Sequence, residues 1–197
     1  MKKQIPEKYS VHRNPKEYLK QGFVHCGVYT VKAILESYHK GVHKDPRKYH
    51  VSFLNKITGT IFRSQDLIDI FREYGLQIKA ICAKDYDDSQ KLLMLKKVLL
   101  KDKPITVFIG NGYTYSEGIE GYRPIKALLV GHVISIWGYN DSERVFYLYD
   151  SAVSKEYYDK DIPIGNVKRT YKDFLRDWKG AWHRRWLSPY TYLEILD

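Results

Sequence analysis

Gln21-Gly22-Phe23-Val24-His25-Cys26-Gly27-Val28-Tyr29-Thr30-Val31-Lys32-Ala33-Ile34-Leu35-Glu36-Ser37-Tyr38-His39-Lys40 reads as a loop that runs into a helix, with a cysteine at the junction. The apolar residues Val28, Val31, Leu35 and Tyr38, with Ala33 and Ile34 alongside, recur at the three-to-four spacing of a buried helical face, and Gly41 stands where such a helix stops. Cys26 therefore opens a core helix. There the unpaired backbone N–H groups and the positive end of the helix dipole favour negative charge, so a thiolate is stabilised and the thiol pKa falls below its free value of roughly 8.5. The same N–H groups, above all that of Cys26, are placed to donate to an oxyanion formed when sulfur attacks a carbonyl, and Gly27 leaves the approach open. Alone, the junction decides nothing, because a free cysteine is among the most buried residue types and is usually inert packing.

The chain of 197 residues, 44% hydrophobic and 15% aromatic, has the make-up of one globular domain, read here as an irregular arm over residues 1–20 and a domain over 21–197. Two cysteines, Cys26 and Cys82, are too few for a disulfide framework, which fits a reducing compartment. The charged start, Met1-Lys2-Lys3-Gln4, lacks the apolar run of a signal peptide, and no stretch approaches the ~20 apolar residues of a membrane helix. The expectation is a soluble cytoplasmic protein with no membrane partner. A net charge of +10 beside 18 tyrosines raises single-stranded nucleic acid as a partner. The charge is diffuse, however, and its densest part, Lys168-Arg169, Lys172, Arg176, Lys179 and His183-Arg184-Arg185, reads as a solvated face, so nucleic acid is not the expected partner. His39 and His43 lie four apart with Gly41 between them, and no second pair has zinc-site spacing; neither a metal nor a cofactor is expected.

Further along, a short helix is expected near Val51 to Lys56, and Ser64 caps a helix over Gln65–Tyr74 that Gly75 ends. Leu76, Ile78 and Ala80 alternate as in a strand, which puts Cys82 on the apolar face as a core residue. Asp87-Asp88-Ser89 opens another helix, and Pro104 to Gly110 is an apolar strand. Residues 111–127, rich in glycine and tyrosine, form a long loop read as a lid over a site. Leu128–Tyr139 and Arg144–Asp150 are strands of a hairpin across Asn140-Asp141-Ser142-Glu143; a helix at Tyr171–Trp178 and a strand at Trp186–Leu196 follow. Helices early and strands late make an α+β chain.

A three-residue hairpin loop, Asn140 to Ser142, sets His132 directly across from Asp150, and a register one residue different makes them diagonal unless a bulge restores them. Meeting on one face, the carboxylate fixes the imidazole tautomer so that the other ring nitrogen can take a proton from a thiol, the arrangement nucleophilic catalysis by cysteine needs.

Cys26-Gly27 at a helix start, then Gly131-His132-Val133-Ile134-Ser135-Ile136-Trp137-Gly138-Tyr139, then Phe146-Tyr147-Leu148-Tyr149-Asp150, resembles the papain-like cysteine peptidase superfamily. The nearest branch is the bacteriocin leader peptidases, which cleave after a double glycine, and the likeness spans roughly residues 20 to 180. The resemblance implies a papain-like fold with a helical lobe against an antiparallel sheet. It also implies a nucleophile at Cys26, a general base and acid at His132, an orienting Asp150 and an oxyanion donor at Gln21. The activity implied is cleavage of a peptide or isopeptide amide through a thioester, with a peptide or protein as substrate. The rival readings are an acyltransferase using an amine acceptor and a non-catalytic peptide-binding module; a pure binder has no need of Cys, His and Asp together. The sequence departs from the family pattern at three places. Gln21 sits five residues before Cys26 where the family has six, Val28 stands for the proline after Cys-Gly, and Ser151-Ala152 stands for the proline after the aspartate.

Overall fold

The computed structural model describes residues 5–22, 24–50, 56–57, 59, 63–113 and 121–196. The short helix expected at Val51–Lys56 lies, apart from Lys56, outside the described residues, as does the middle of the expected lid.

Seven strands, β1 (Lys8–Ser10), β2 (Ile78–Cys82), β3 (Ile105–Gly110), β4 (Gly131–Asn140), β5 (Val145–Tyr149), β6 (Val167–Thr170) and β7 (Thr191–Ile195), form one sheet in the order β2-β7-β3-β4-β5-β6. Every pairing is antiparallel, and β1 joins β4 beyond the stretch that β3 covers. The helices are α1 (Cys26–Ser37), α2 (Ser64–Glu73), α3 (Asp88–Leu99), α4 (Pro124–Leu129), α5 (Tyr171–Asp177) and α6 (Trp182–Leu187). The α+β expectation therefore holds.

Every residue of β3, and of β4 from His132 onward, is buried, so both faces of these central strands are covered. That is why their sequences are nearly continuous apolar runs rather than alternations. On one face α1 lies against β4 and buries Val28, Val31, Ala33, Ile34 and Leu35. At ~25 cal/mol per Å² of apolar surface, each such side chain contributes roughly 1.5–3 kcal/mol on burial. α3 begins at a capping box in which the Asp87 carboxylate accepts from Gln90 N–H at 2.8 Å and the Gln90 side chain accepts from Asp87 N–H at 3.1 Å.

Four sequence expectations are corrected. The stretch read as an irregular arm contributes β1 and is strapped along the sheet: Val11 N–H donates to Trp137 O at 2.9 Å and the Tyr149 hydroxyl to Leu19 O at 2.7 Å. Leu128 and Leu129 end α4 rather than begin a strand, with Pro124 in the first turn, where a missing N–H costs nothing. Trp186 and Leu187 belong to α6, and the last strand starts only at Thr191, beyond Pro189. Cys82 is exposed rather than a core residue, because β2 is the edge strand and its cover reaches Ile78 but not Ala80 or Cys82. Strand β6 was not foreseen at all.

The hairpin of β4 and β5 places the residues that matter most. Its loop is four residues, Asp141 to Arg144, so Asn140 pairs with Val145 and Gly138 with Tyr147. Continued unchanged, that register sets Asp150 opposite Ser135 and turns it away from the face of His132. Trp137 is instead an extra residue in β4, so Ile136 pairs with Leu148 and Ser135 with Tyr149. Asp150 then follows opposite Ile134, diagonal to His132 and on the same face. At the bulge a Cβ on Gly138 would lie 2.6 Å from Tyr9 O, so the approach of β1 requires glycine there.

Candidate active site

Cys26 is the first residue of α1, and His25 before it has φ 83°, a left-handed conformation costly for a residue with a Cβ. The junction is braced by Gly59, where a Cβ would stand 2.8 Å from His25 N. The His25 and His50 rings meet at 3.0 Å between Nδ1 and Nε2, and burial holds His50 neutral, with its pKa pulled down to about 4. One turn into α1, the Thr30 hydroxyl donates to Val133 O at 3.2 Å and ties the helix to β4 beside His132.

His132, buried near the start of β4, has Nε2 at 2.7 Å from Asp150 Oδ1. That contact fixes the ring and leaves Nδ1 as its other nitrogen, and His132 and Cys26 line one cleft, near enough for each to shift the other's pKa. Burial alone would raise the Cys26 thiol, but the charge and hydrogen bond of His132 and a hydrogen bond from the Val133 backbone overcome it, so its pKa lies below the ordinary value. Burial would likewise depress His132, yet the Asp150 and Cys26 charges outweigh it and push the imidazole up to about 10. Both shifts run in the direction that favours a thiolate–imidazolium pair.

Asp150 is fully buried and held from all sides. Its carboxylate accepts from Ala152 N–H at 3.0 Å and from Arg169 Nη2 at 2.7 Å, while its backbone exchanges hydrogen bonds with the Asn166 side chain at 2.8 and 2.9 Å. Arg169 also bridges to Asp177 at 3.3 Å, and its guanidinium stands 4.7 Å from the Tyr113 ring centre. Arg176 pairs with Asp177 at 3.0 Å and lies 3.5 Å over the Tyr122 ring. The basic stretch read as a solvated face is corrected at Arg169, which is interior because two buried carboxylates need its charge, while Lys172, Lys179 and His183 are exposed. Sequence reasoning missed this residue, although Val167 and Arg169 share one side of a strand-like alternation that, once recognised, points both inward.

Gln21 lines the same cleft as Cys26 and His132. Its N–H donates to Ser151 O at 2.7 Å, and its amide oxygen accepts from the Ser151 hydroxyl at 2.5 Å, which leaves the NH2 group as the donor end. Ser151, standing where the family has proline, is therefore the residue that clamps Gln21. The cleft holds about 1060 Å³ and is lined by residues of α4 and α6 as well as by Gln21, Cys26 and His132, with Phe108, Ile109, Leu129 and Val130 among its apolar walls. His39 and His43 are remote from it; His43 Nε2 lies 3.0 Å from the Tyr74 hydroxyl. Among the described residues no group of three or more His, Cys, Asp or Glu is placed to hold a metal, and no helix is long and apolar enough to cross a membrane.

A helical lobe headed by a cysteine, set against an antiparallel sheet that carries His132 and Asp150, is the architecture of papain-like peptidases. Residues 8–180 match the Peptidase_C39 like family, and the chain belongs to it. Among solved structures it is similar to a C39-like peptidase from Bacillus anthracis, with 14% identity, 98% of each chain covered and a TM-score of 0.59. It is also similar to a double glycine motif protease from an AMS/PCAT transporter, solved in complex with the leader peptide, with 16% identity, 94% of this chain and 96% of that chain covered and a TM-score of 0.51. No curated protein is similar enough in sequence to match.

Proposed function

We propose that the protein is a cysteine peptidase that cleaves a peptide or isopeptide amide through a thioester on Cys26, with His132 as base and acid and Asp150 as its orienting partner. The observation that carries this is that His132, 2.7 Å from the Asp150 carboxylate, lines the same cleft as Cys26 at the start of α1. The Cys26 thiolate attacks the amide carbonyl, and the resulting oxyanion is met by N–H groups at the start of α1 and by the Gln21 NH2 group. The imidazolium of His132 gives its proton to the departing amine as the C–N bond breaks and the thioester remains. Water then adds to the thioester, His132 takes its proton, and the acid leaves as the thiolate reforms. Asp150 keeps Nε2 as a hydrogen-bond donor throughout and stays ionised between His132 and Arg169.

The test uses a mixture of proteome-derived peptides, including sequences with Gly-Gly, followed by mass spectrometry. The wild-type protein is expected to yield new termini and Cys26→Ala none, while both show the same melting transition. Cleavage surviving in Cys26→Ala, or none in the wild type, overturns the proposal. Adding a primary amine separates hydrolysis from acyl transfer: free carboxyl products support the peptidase, and amide adducts as the main product replace it with a transferase of the same fold.

A further inference from the structure

The cleft around Cys26 has a charge character that the catalytic residues do not account for. Lys20, next to Gln21, lines it together with Lys126 of α4 and His183 and Arg184 of α6. No carboxylate lines the cleft among the described residues. Asp150, the acid nearest the reacting atoms, is fully buried behind His132 and neutralised by Arg169.

Arg184 is held in place. Its guanidinium lies 3.8 Å over the Phe108 ring, and Nη1 donates to the Ser64 hydroxyl at 3.1 Å. Burial lowers its pKa to about 10, which leaves it charged near neutrality. The Lys126 ammonium is likewise directed by a bond to Tyr113 O. The same cleft is walled by the apolar side chains of Phe108, Leu129, Val130 and Trp182. Low-dielectric walls concentrate the field of charges at their rim, and the positive end of α1 adds to it.

We infer that the site selects acidic peptides, with Asp or Glu side chains close to the scissile bond read by Arg184 and Lys20, both of which line the cleft. This rests on the peptidase reading and deepens it. The general excess of positive charge on the chain is not enough to explain such selection, because charges beyond about 8–10 Å of solvent are screened at physiological salt. A cation inside an apolar cleft is screened less, so the preference belongs to the cleft residues and not to the net charge.

The experiment compares Asp and Glu frequencies within four residues of each cleavage site against their frequencies in the same proteome-derived mixture. A roughly 3- to 10-fold enrichment at one or more positions is expected, the scale of one or two partly exposed ion pairs. Arg184→Glu and Lys20→Glu should each reduce it, and the double variant should favour Lys or Arg. Lys97→Glu and Lys172→Glu, which remove the same charge from exposed positions outside the cleft, should leave it unchanged. Cleavage with no acidic enrichment, or enrichment that falls as much in Lys97→Glu as in Arg184→Glu, overturns the inference while leaving the peptidase reading intact.

A second arm needs no turnover. Binding of rhodamine-labelled dodecapeptides bearing Glu or Gln at matched positions is measured by anisotropy on Cys26→Ala protein at low and high salt. Tighter binding of the Glu peptide, lost in Arg184→Glu, supports acidic recognition even if no peptide is cleaved, and equal binding of the two overturns it.

Discussion

Replacing Arg169 by methionine removes a charge that two buried carboxylates share. The Asp150 and Asp177 side chains are both 0% exposed and that of Arg169 is 4% exposed, so water cannot take over. Removing one partner of a buried ion pair costs about 3–5 kcal/mol, because the remaining charge is left uncompensated. Asp177 keeps Arg176 at 3.0 Å and Asp150 keeps His132 at 2.7 Å, which points to the lower end, about 3 kcal/mol. A simple loss of packing would stop there, whereas a positioning role for Arg169 also moves the chemistry. With a neighbouring cation gone, the His132 imidazolium is favoured further and the alkaline limb of the rate profile shifts upward, while the Cys26 thiolate loses a favourable charge and the acid limb shifts upward too. Urea unfolding of wild type, Arg169→Met and Arg169→Lys measures the first effect, and pH profiles of kcat/KM the second. Arg169→Lys should recover part of the stability, because it restores charge without the fork that serves both Asp150 and Asp177. A loss below about 1 kcal/mol in Arg169→Met, where the buried-pair cost applies, with unmoved limbs, would refute the reasoning.

If the Gln21 amide meets the oxyanion, Gln21→Ala lowers kcat by about 100-fold or more, and a change under about threefold shows that another donor serves. Ser151→Ala, which releases the Gln21 carbonyl, should lower kcat by a smaller factor in the same assay. Limited iodoacetamide at about pH 6 should label Cys26 ahead of Cys82 even though Cys82 is exposed, because alkylation follows the thiolate fraction; faster labelling of Cys82 in peptide maps would remove the ion-pair description. Stability against pH has two opposed slopes. His132 holds its proton up to about pH 10 in the fold, so its contribution is complete below its ordinary 6.5 and fades as pH rises toward 10; Cys26, with a lowered pKa, contributes fully above its ordinary 9.0 and loses this as pH falls. The two slopes oppose each other as pH approaches 9 and the falling one acts alone above it, so the decline of the urea midpoint should steepen above pH 9, whereas Cys26→Ala should decline from nearer pH 6.5 without that break.

Much of the candidate site's placement was legible because its members sit where local chemistry is strongly marked. A cysteine before a helical apolar period, and a histidine and an aspartate on two apolar runs separated by a turn cluster, are local signals that survive into the fold. Errors fell where local sequence cannot say what covers a surface or which period a short apolar run obeys. The strand alternation around Cys82 was right, but exposure there depends on β2 being an edge, a property of the whole sheet order. Leu128-Leu129-Val130 suits a helix end as well as a strand start, and Pro124, in the first helical turn, was the residue that distinguished them.

The deeper limit concerns parity. With a four-residue loop and no bulge, His132 and Asp150 would face opposite sides of the sheet, and the same sequence of apolar and polar residues would not bring them together. One extra residue, Trp137, reverses that outcome, and it can sit there because its indole N–H donates to the Ser135 hydroxyl at 2.8 Å inside a fully buried environment. Gly138 beside it admits the β1 backbone, so the N-terminal strand, the bulge and the meeting of His132 with Asp150 are parts of one packing solution. Periodicity reports which faces are apolar; it does not report where a strand gains a residue. The arrangement of His132 against Asp150 therefore rests on contacts made by residues 8–10, more than 120 positions away in the chain, which no local reading of the hairpin contains.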